Sequence, residues 1–263
     1  MRRIISLFTV LFIIGCTTVP ITGRRQLSLV SDSQIAQLSE QNYEQVLQES
    51  TVVKSGKDAD LVKTVGGQIA KSAEAFLKDN GLESEIAGYS WEFNLIKEDQ
   101  TVNAFCMPGG KIVVYTGILP YTKDAPGLAV VLGHEVAHAI AKHGAERMSQ
   151  EMVVQYGGTA LSALMANKPA QTQQLVMTAY GAGSRYGVLL PYSRKHESEA
   201  DRIGLIIMAR AGYDPNGAAA FWQRMSAGGS SSTPEFMSTH PSDSTRIADI
   251  QKYIPEAMQY YKK

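Results

Sequence analysis

His134-Glu135-Val136-Ala137-His138 is the stretch whose reading decides this chain. It lies in an apolar run near 126–143 whose pattern predicts a helix. Residues four apart share a face of an α-helix, so His134 and His138 can offer two imidazoles to one metal ion. Zinc takes neutral imidazole nitrogens, and its catalytic sites keep three protein ligands and one open position. Glu135 is turned about 100° round the helix from His134. It sits beside the metal rather than on it, where a carboxylate can take a proton from a water that zinc has acidified.

A third ligand is available further along. Glu197-Ser198-Glu199-Ala200-Asp201 opens another predicted helix, 59 residues beyond His138. Glu197 can supply a carboxylate ligand, and Asp201, on the same face, can accept the outer N–H of a liganding histidine. Glu199 faces elsewhere and reads as a solvated acid of a helix's first turn. An HExxHxxGxxH site is excluded, because Ala141 and Gly144 stand where it needs glycine and histidine. His143 reads as a structural or surface histidine, and His196 as exposed. His240 follows the flexible run Gly228-Gly229-Ser230-Ser231-Ser232, with Arg246 six residues on. Two roles stay open for it. With Arg246 it can stabilise the oxyanion formed at a peptide carbonyl, or it can ligate the open position and hold the site latent.

The rest of the chain frames this constellation. Its 263 residues can bury a single substantial core. Hydrophobic residues at 44% and charged residues at 19% are ordinary for a globular protein, and a formal net charge of zero gives no nucleic-acid footprint. Arg2 and Arg3 precede an apolar stretch, Ile4 to Ile14, with the layout of a secretory signal and too short to span a bilayer. It ends Ile13-Ile14-Gly15-Cys16, which resembles a bacterial lipobox. The expectation is a signal peptide over 1–15, lipidation at Cys16, a tether over 16–30 and one domain over 31–263. Acyl chains on Cys16 would then hold the protein to a membrane, and Cys106 would be the one cysteine left, with no internal disulfide. Thr17, not aspartate, follows Cys16. The location expected is therefore the outer membrane of a Gram-negative bacterium, facing the periplasm.

The elements predict an α+β fold, mainly helical with a small sheet. Ser31-Asp32-Ser33-Gln34 has the capping-box pattern of a helix start. A helix follows to about Ser50, and a second runs from about Asp58 to a Gly81 cap. Trp91, Phe93 and Leu95 alternate as a strand does, and Ile112 to Tyr115 is a second strand. Helices are expected near 126–143, 145–166, 170–185, 194–211 and 216–226, with another after Pro241.

HEVAH, then ESEAD, then HPSDSTR, together with Asn103-Ala-Phe and Pro108-Gly109-Gly110-Lys-Ile-Val-Val-Tyr-Thr-Gly117, resemble the zinc metallopeptidases of the HtpX, CAAX prenyl protease, BepA and LoiP family. The resemblance covers roughly residues 31 to 263. It implies a zincin-like (gluzincin) domain with His134, His138 and Glu197 as ligands of one zinc ion and Glu135 as base. It also implies an edge strand around Asn103, Ala104 and Phe105 that binds extended substrate by β-addition, and a histidine at position 240 that can switch between metal ligand and substrate contact. The transmembrane helices of HtpX and the CAAX enzymes have no counterpart here beyond the signal segment. The chain also ends without the helical-repeat domain of BepA. The compact lipoprotein members are thus the nearest pattern, which disfavours prenyl processing. The expected function is endopeptidase cleavage of unfolded or misassembled cell-envelope proteins. The alternative is a largely latent protease acting as a chaperone-like assembly or quality-control factor with envelope partners.

Overall fold

The computed structural model describes residues 16–227, 235–240 and 244–262. The expected signal segment, the Gly/Ser run and Pro241 to Asp243 lie outside them. The chain opens on an antiparallel hairpin, β1 (Cys16–Thr18) and β2 (Arg25–Leu27), with Cys16 opposite Leu27. Helix α1 (Asp32–Glu49) follows. Its N-cap Ser31 accepts from the Gln34 amide while the Gln34 side chain accepts from the Ser31 amide, which is the capping box the sequence predicts. After β3 (Val52–Val53), α2 (Lys57–Asp79) ends as expected: Gly81, at φ 68°, donates to the Lys78 carbonyl and Leu82 to the Leu77 carbonyl.

The sheet is larger than the sequence indicates. To β4 (Glu92–Ile96) and β6 (Lys111–Tyr115) it adds β3 on one side, and on the other lies β5 (Ala104–Met107), where the resemblance implies an edge strand; the order is β3-β4-β6-β5. β4 and β6 run parallel, and β5 is antiparallel to β6 and forms an edge. One face of the sheet packs on α2 and α4 (Ala125–Ile140), a helix that follows the short α3 (Leu119–Thr122). Each fully buried Val, Ile or Leu between these layers contributes roughly 1.5–3 kcal/mol, and Val65, Ile69, Ile112, Val114, Leu128 and Leu132 are all fully buried.

Helix α4 stops at Ile140. Lys142 takes a left-handed conformation, φ 56° and ψ 33°, and α5 (His143–Met165) starts in a new direction. Beyond it, α6 (Ala170–Ser184) and α7 (Leu190–Arg210) are joined by a π-helical turn, Arg185–Leu189, where the sequence predicts a break. Pro191 has no N–H to give, and a π turn takes up that irregularity without ending the helix. α8 (Ala218–Ala227), α9 (Glu235–Thr239) and α10 (Ser244–Met258) complete the domain.

Residues 16–30, expected as a tether, are instead folded onto the body. Val19 is buried in the core, and Arg24 pairs with Glu146 and Glu199. No helix among the described residues is long and apolar enough to cross a membrane.

Candidate active site

The site forms where α4 crosses α7. At the crossing two glycines face each other: a Cβ built on Gly133 would lie 2.9 Å from the Gly204 carbonyl oxygen, and one on Gly204 would lie 2.8 Å from the Gly133 carbonyl carbon. Only residues without side chains allow the backbones this close. The approach sets HEVAH directly against Glu197 and Asp201.

His134, His138, Glu197 and His240 are buried together, with one donor atom from each lying within 4.8 Å of all the others. His134 Nε2 is 3.0 Å from His138 Nε2, and the Glu197 carboxylate is 3.3 and 3.4 Å from these two nitrogens. His240 Nδ1 is 3.0 Å from Glu197 Oε2 and 3.2 Å from His134 Nε2.

The outer edges of the two imidazoles decide their tautomers. His134 Nδ1 lies 2.9 Å from Asp201 Oδ1, the partnership the sequence predicts. His138 Nδ1 lies 2.9 Å from His143 Nδ1, and His143 Nε2 lies 3.0 Å from Glu199 Oε2. A carboxylate only accepts, so His143 donates from Nε2 and presents its Nδ1 lone pair to His138 Nδ1–H. Both Nδ1–H groups are thus committed outward, and both Nε2 lone pairs point into the cluster beside a carboxylate. That donor set fits a divalent cation. Two imidazoles and a carboxylate suit zinc, which is the cofactor of this site.

Electrostatics agree with the fit. Burial holds the His138 imidazole far below its usual range, so it is neutral as a ligand must be. Burial opposes ionisation of Glu197, but the electrostatic surroundings made by His138, His134 and His240 outweigh it and hold its carboxyl well below the usual range. Burial also opposes the His134 imidazolium, yet Asp201 and Glu197 carry it up to about 9. A cation therefore enters by displacing a proton there.

Glu135 projects beside the cluster. Its Oε1 is buried with no hydrogen-bond partner among the described residues, 3.5 Å from His240 Nε2. Burial pushes its carboxyl up, against the pull of His240, His134 and the Cys106 backbone amide. It opens onto a cleft of about 310 Å³ lined by Asn103, Ala104, Phe105, Cys106, His138 and His240, among others. The expected substrate-binding residues therefore do border the site. Asn103 Oδ1 accepts from the Ala104 amide at 2.9 Å, at the start of edge strand β5.

Several placements differ from the sequence reading. Arg246 does not line the cleft. It is buried, grips Asp201 with Nε and Nη2 at 2.7 and 2.8 Å, donates to the His240 carbonyl at 3.1 Å, and lies over the Trp222 ring. Such a position braces Asp201 and the His240 backbone, with Nη1 also 3.3 Å from Glu197 Oε2. His196 and Glu199, read as exposed, are both buried, because His196 donates to Glu146 at 2.8 Å and Glu199 receives His143, Thr22 and Arg24. His143, read as structural or surface, takes the structural place: it is fully buried. The turn at Lys142 swings it back onto His138, a contact that no counting along one helix can find.

An HExxH helix crossed by a helix carrying the glutamate ligand and its partner aspartate, under the edge of a small sheet, defines a zincin-like metallopeptidase domain. Residues 66–254 match Peptidase family M48, and the chain belongs to that family. The mitochondrial metalloendopeptidase OMA1 of Schizosaccharomyces pombe is 36% identical over 91% of this chain and 66% of its own length. The human mitochondrial metalloendopeptidase OMA1 is 32% identical over 96% of this chain and 48% of its own. The β-barrel assembly-enhancing protease of Escherichia coli is 32% identical over 61% of this chain and 34% of its own. The chain spans between about half and two thirds of the length of these two OMA1 relatives. These findings overturn one expectation. The relatives matched over nine tenths of the chain are mitochondrial by name, and the bacterial relative matches a smaller part, so a lipid-anchored outer-membrane location facing the periplasm is not upheld.

Proposed function

We propose that this protein is a zinc metalloendopeptidase that cleaves extended segments of other proteins. The observation that carries the reading is the convergence of His134 Nε2, His138 Nε2 and the Glu197 carboxylate within 3.4 Å of one another, with Glu135 beside them on the cleft. Bound zinc supplies Lewis acidity toward a peptide carbonyl and an attacking water. His134, His138 and Glu197 hold it, with Asp201 fixing the orientation of His134. Substrate lies along β5, main chain to main chain, so that selection rests on extended backbone more than on side chains. Glu135 takes the proton of the attacking water and passes it to the leaving amine. Its raised carboxyl suits that exchange, because a carboxylate too acidic would hold a proton poorly.

Unfolded or misassembled protein at a cell envelope is the substrate class we propose, and the name of the E. coli relative, a β-barrel assembly-enhancing protease, supports it. Replacing Glu135 by Gln keeps the shape of the site and removes the base. The variant is expected to retain zinc at the wild-type stoichiometry and to lose cleavage of casein by at least about a hundredfold. Undiminished turnover would refute the mechanism.

A second reading has its own observation. His240 occupies the donor cluster, and Phe236, one helical turn before it, packs between Trp222, His134 and His240. α9 is also tied to the approach to β5, by the Phe236 amide to the Val102 carbonyl at 2.9 Å and Asn103 to Glu235 at 3.2 Å. This arrangement favours a latent protease that opens when α9 is displaced, and such a protein can bind clients without cutting them.

A further inference from the structure

Behind the donor cluster lies a second buried polar assembly that the peptidase mechanism does not use. It begins at His138. From its Nδ1 the contacts run 2.9 Å to His143, then 3.0 Å from His143 to Glu199. Glu199 is in turn held by the Thr22 hydroxyl and by Arg24 Nε at 2.9 Å. The same guanidinium reaches Glu146 with Nη1 at 3.0 Å and Nη2 at 2.6 Å. His196, which donates to Glu146, stacks on His143 with ring centroids 4.4 Å apart. Glu146 stands on α5 and Glu199 on α7, so one arginine clamps two helices.

Thr22 and Arg24 belong to neither helix. They come from the turn between β1 and β2, where Ile21 at φ 75° and Gly23 at φ 69° reverse the chain, and the Val19 amide donates to the Arg24 carbonyl at 2.7 Å. Val19 anchors this turn in the core, and the Leu29 amide donates to Ser149 on α5 at 2.9 Å. Without the guanidinium, two buried carboxylates would face each other with no cation between them. Breaking a buried pair in this way is strongly unfavourable, and the carboxylate that receives His143 would move.

We propose that Arg24 is a positioning residue of the metal site: it fixes Glu199, which fixes His143, which holds His138 with Nε2 turned toward the metal. The amino-terminal hairpin is on this account a structural part of the zinc site. The inference rests on the zinc-site reading above. Metal-ligating histidines normally give their outer N–H to a group that fixes the ring, and loss of such a partner costs about ten- to a hundredfold in metal affinity. Here the partner is another histidine, and the chain ends on a residue 114 positions before the ligand it serves.

The test is zinc affinity of the full chain, measured by competition with a chromophoric chelator, with the visible spectrum of the cobalt-substituted protein as a second readout. Arg24→Met is expected to weaken zinc binding about ten- to a hundredfold and to shift the cobalt bands. Arg24→Lys, which cannot grip both carboxylates, should lie between. In a His143→Leu background, Arg24→Met should cause no further loss. Arg202→Met, which breaks the pair with Glu256 on the outer side of α7, serves as the control for general stability and should leave both readouts at wild-type values. If Arg24→Met does not fold, Arg24→Lys and Thr22→Val carry the test. Zinc affinity within about twofold of wild type in the folded variants would overturn the proposal, as would an undiminished Arg24→Met effect in the His143→Leu background. A wild-type protein that takes up no zinc would overturn the zinc site itself and this inference with it.

Discussion

His240 Nδ1 lies 3.0 Å from one Glu197 oxygen and 3.2 Å from the other. A histidine so placed competes for the position that a substrate carbonyl or an attacking water needs. Its backbone is held as well, through Arg246 on its carbonyl and its own amide on the Phe236 carbonyl at 2.8 Å. Replacing His240 by Ala is therefore expected to raise cleavage of an unfolded substrate severalfold with zinc stoichiometry unchanged, as read with a quenched fluorogenic peptide. A fall in turnover would instead give His240 the oxyanion role that the sequence leaves open. At this scale the motif residues are legible in the sequence because helical spacing alone aligns His134 with His138, and Glu197 with Asp201. The burial of Glu199, His196 and His143 is not legible. Their partners lie as far as 177 residues away, and a local reading assigns charged and imidazole side chains to solvent.

Among the elements, the crossing of α4 and α7 at Gly133 and Gly204 is what turns two motifs into one site. A methyl group at Gly204 meets the Gly133 carbonyl carbon and the His134 amide nitrogen at 2.8 Å, and both are backbone atoms that cannot swing aside. Gly204→Ala is expected to lower stability by about 1–3 kcal/mol, the usual cost of overpacking, seen as a lower urea midpoint. It should also weaken zinc binding, because the helices must separate and carry Glu197 away from the histidines. An unchanged midpoint together with unchanged affinity would show that the crossing is looser than this geometry. Helix starts and stops were readable where the chemistry is local, as at Ser31 with Gln34 and at Gly81. The π turn through Arg185–Leu189 was not, because glycine and proline near 187 and 191 read as a break unless the flanking helices pack in line. Strand β5 likewise has no strong signal of its own in four residues, and it is recognisable in the structure through its pairing with β6.

Across the whole molecule, stability and site share the same buried charges. Burial alone would raise the Glu146 carboxyl, but hydrogen bonds from His196 and Arg24 outweigh it and hold it at about 2. A carboxyl depressed below its unfolded value, near 4.3, stabilises the fold fully above that value. The contribution is lost as pH falls from there toward 2. Glu146→Gln is thus expected to be less stable than wild type at pH 7, with the gap narrowing between about pH 4.5 and 2, measured as urea midpoints across that range. A gap independent of pH would mean that packing, not charge, sets the loss. What the sequence alone determined was the chemistry: two histidines one helical turn apart, a glutamate beside them, and an acidic pair on another helix, all fixed by the 3.6-residue period. The tertiary structure decided the rest, placing Arg246 behind the ligands, His240 among them and the amino-terminal hairpin against their outer side. The physical reason is that a buried charge is tolerated only where partners surround it. Those partners come from distant parts of the chain, which no local period encodes.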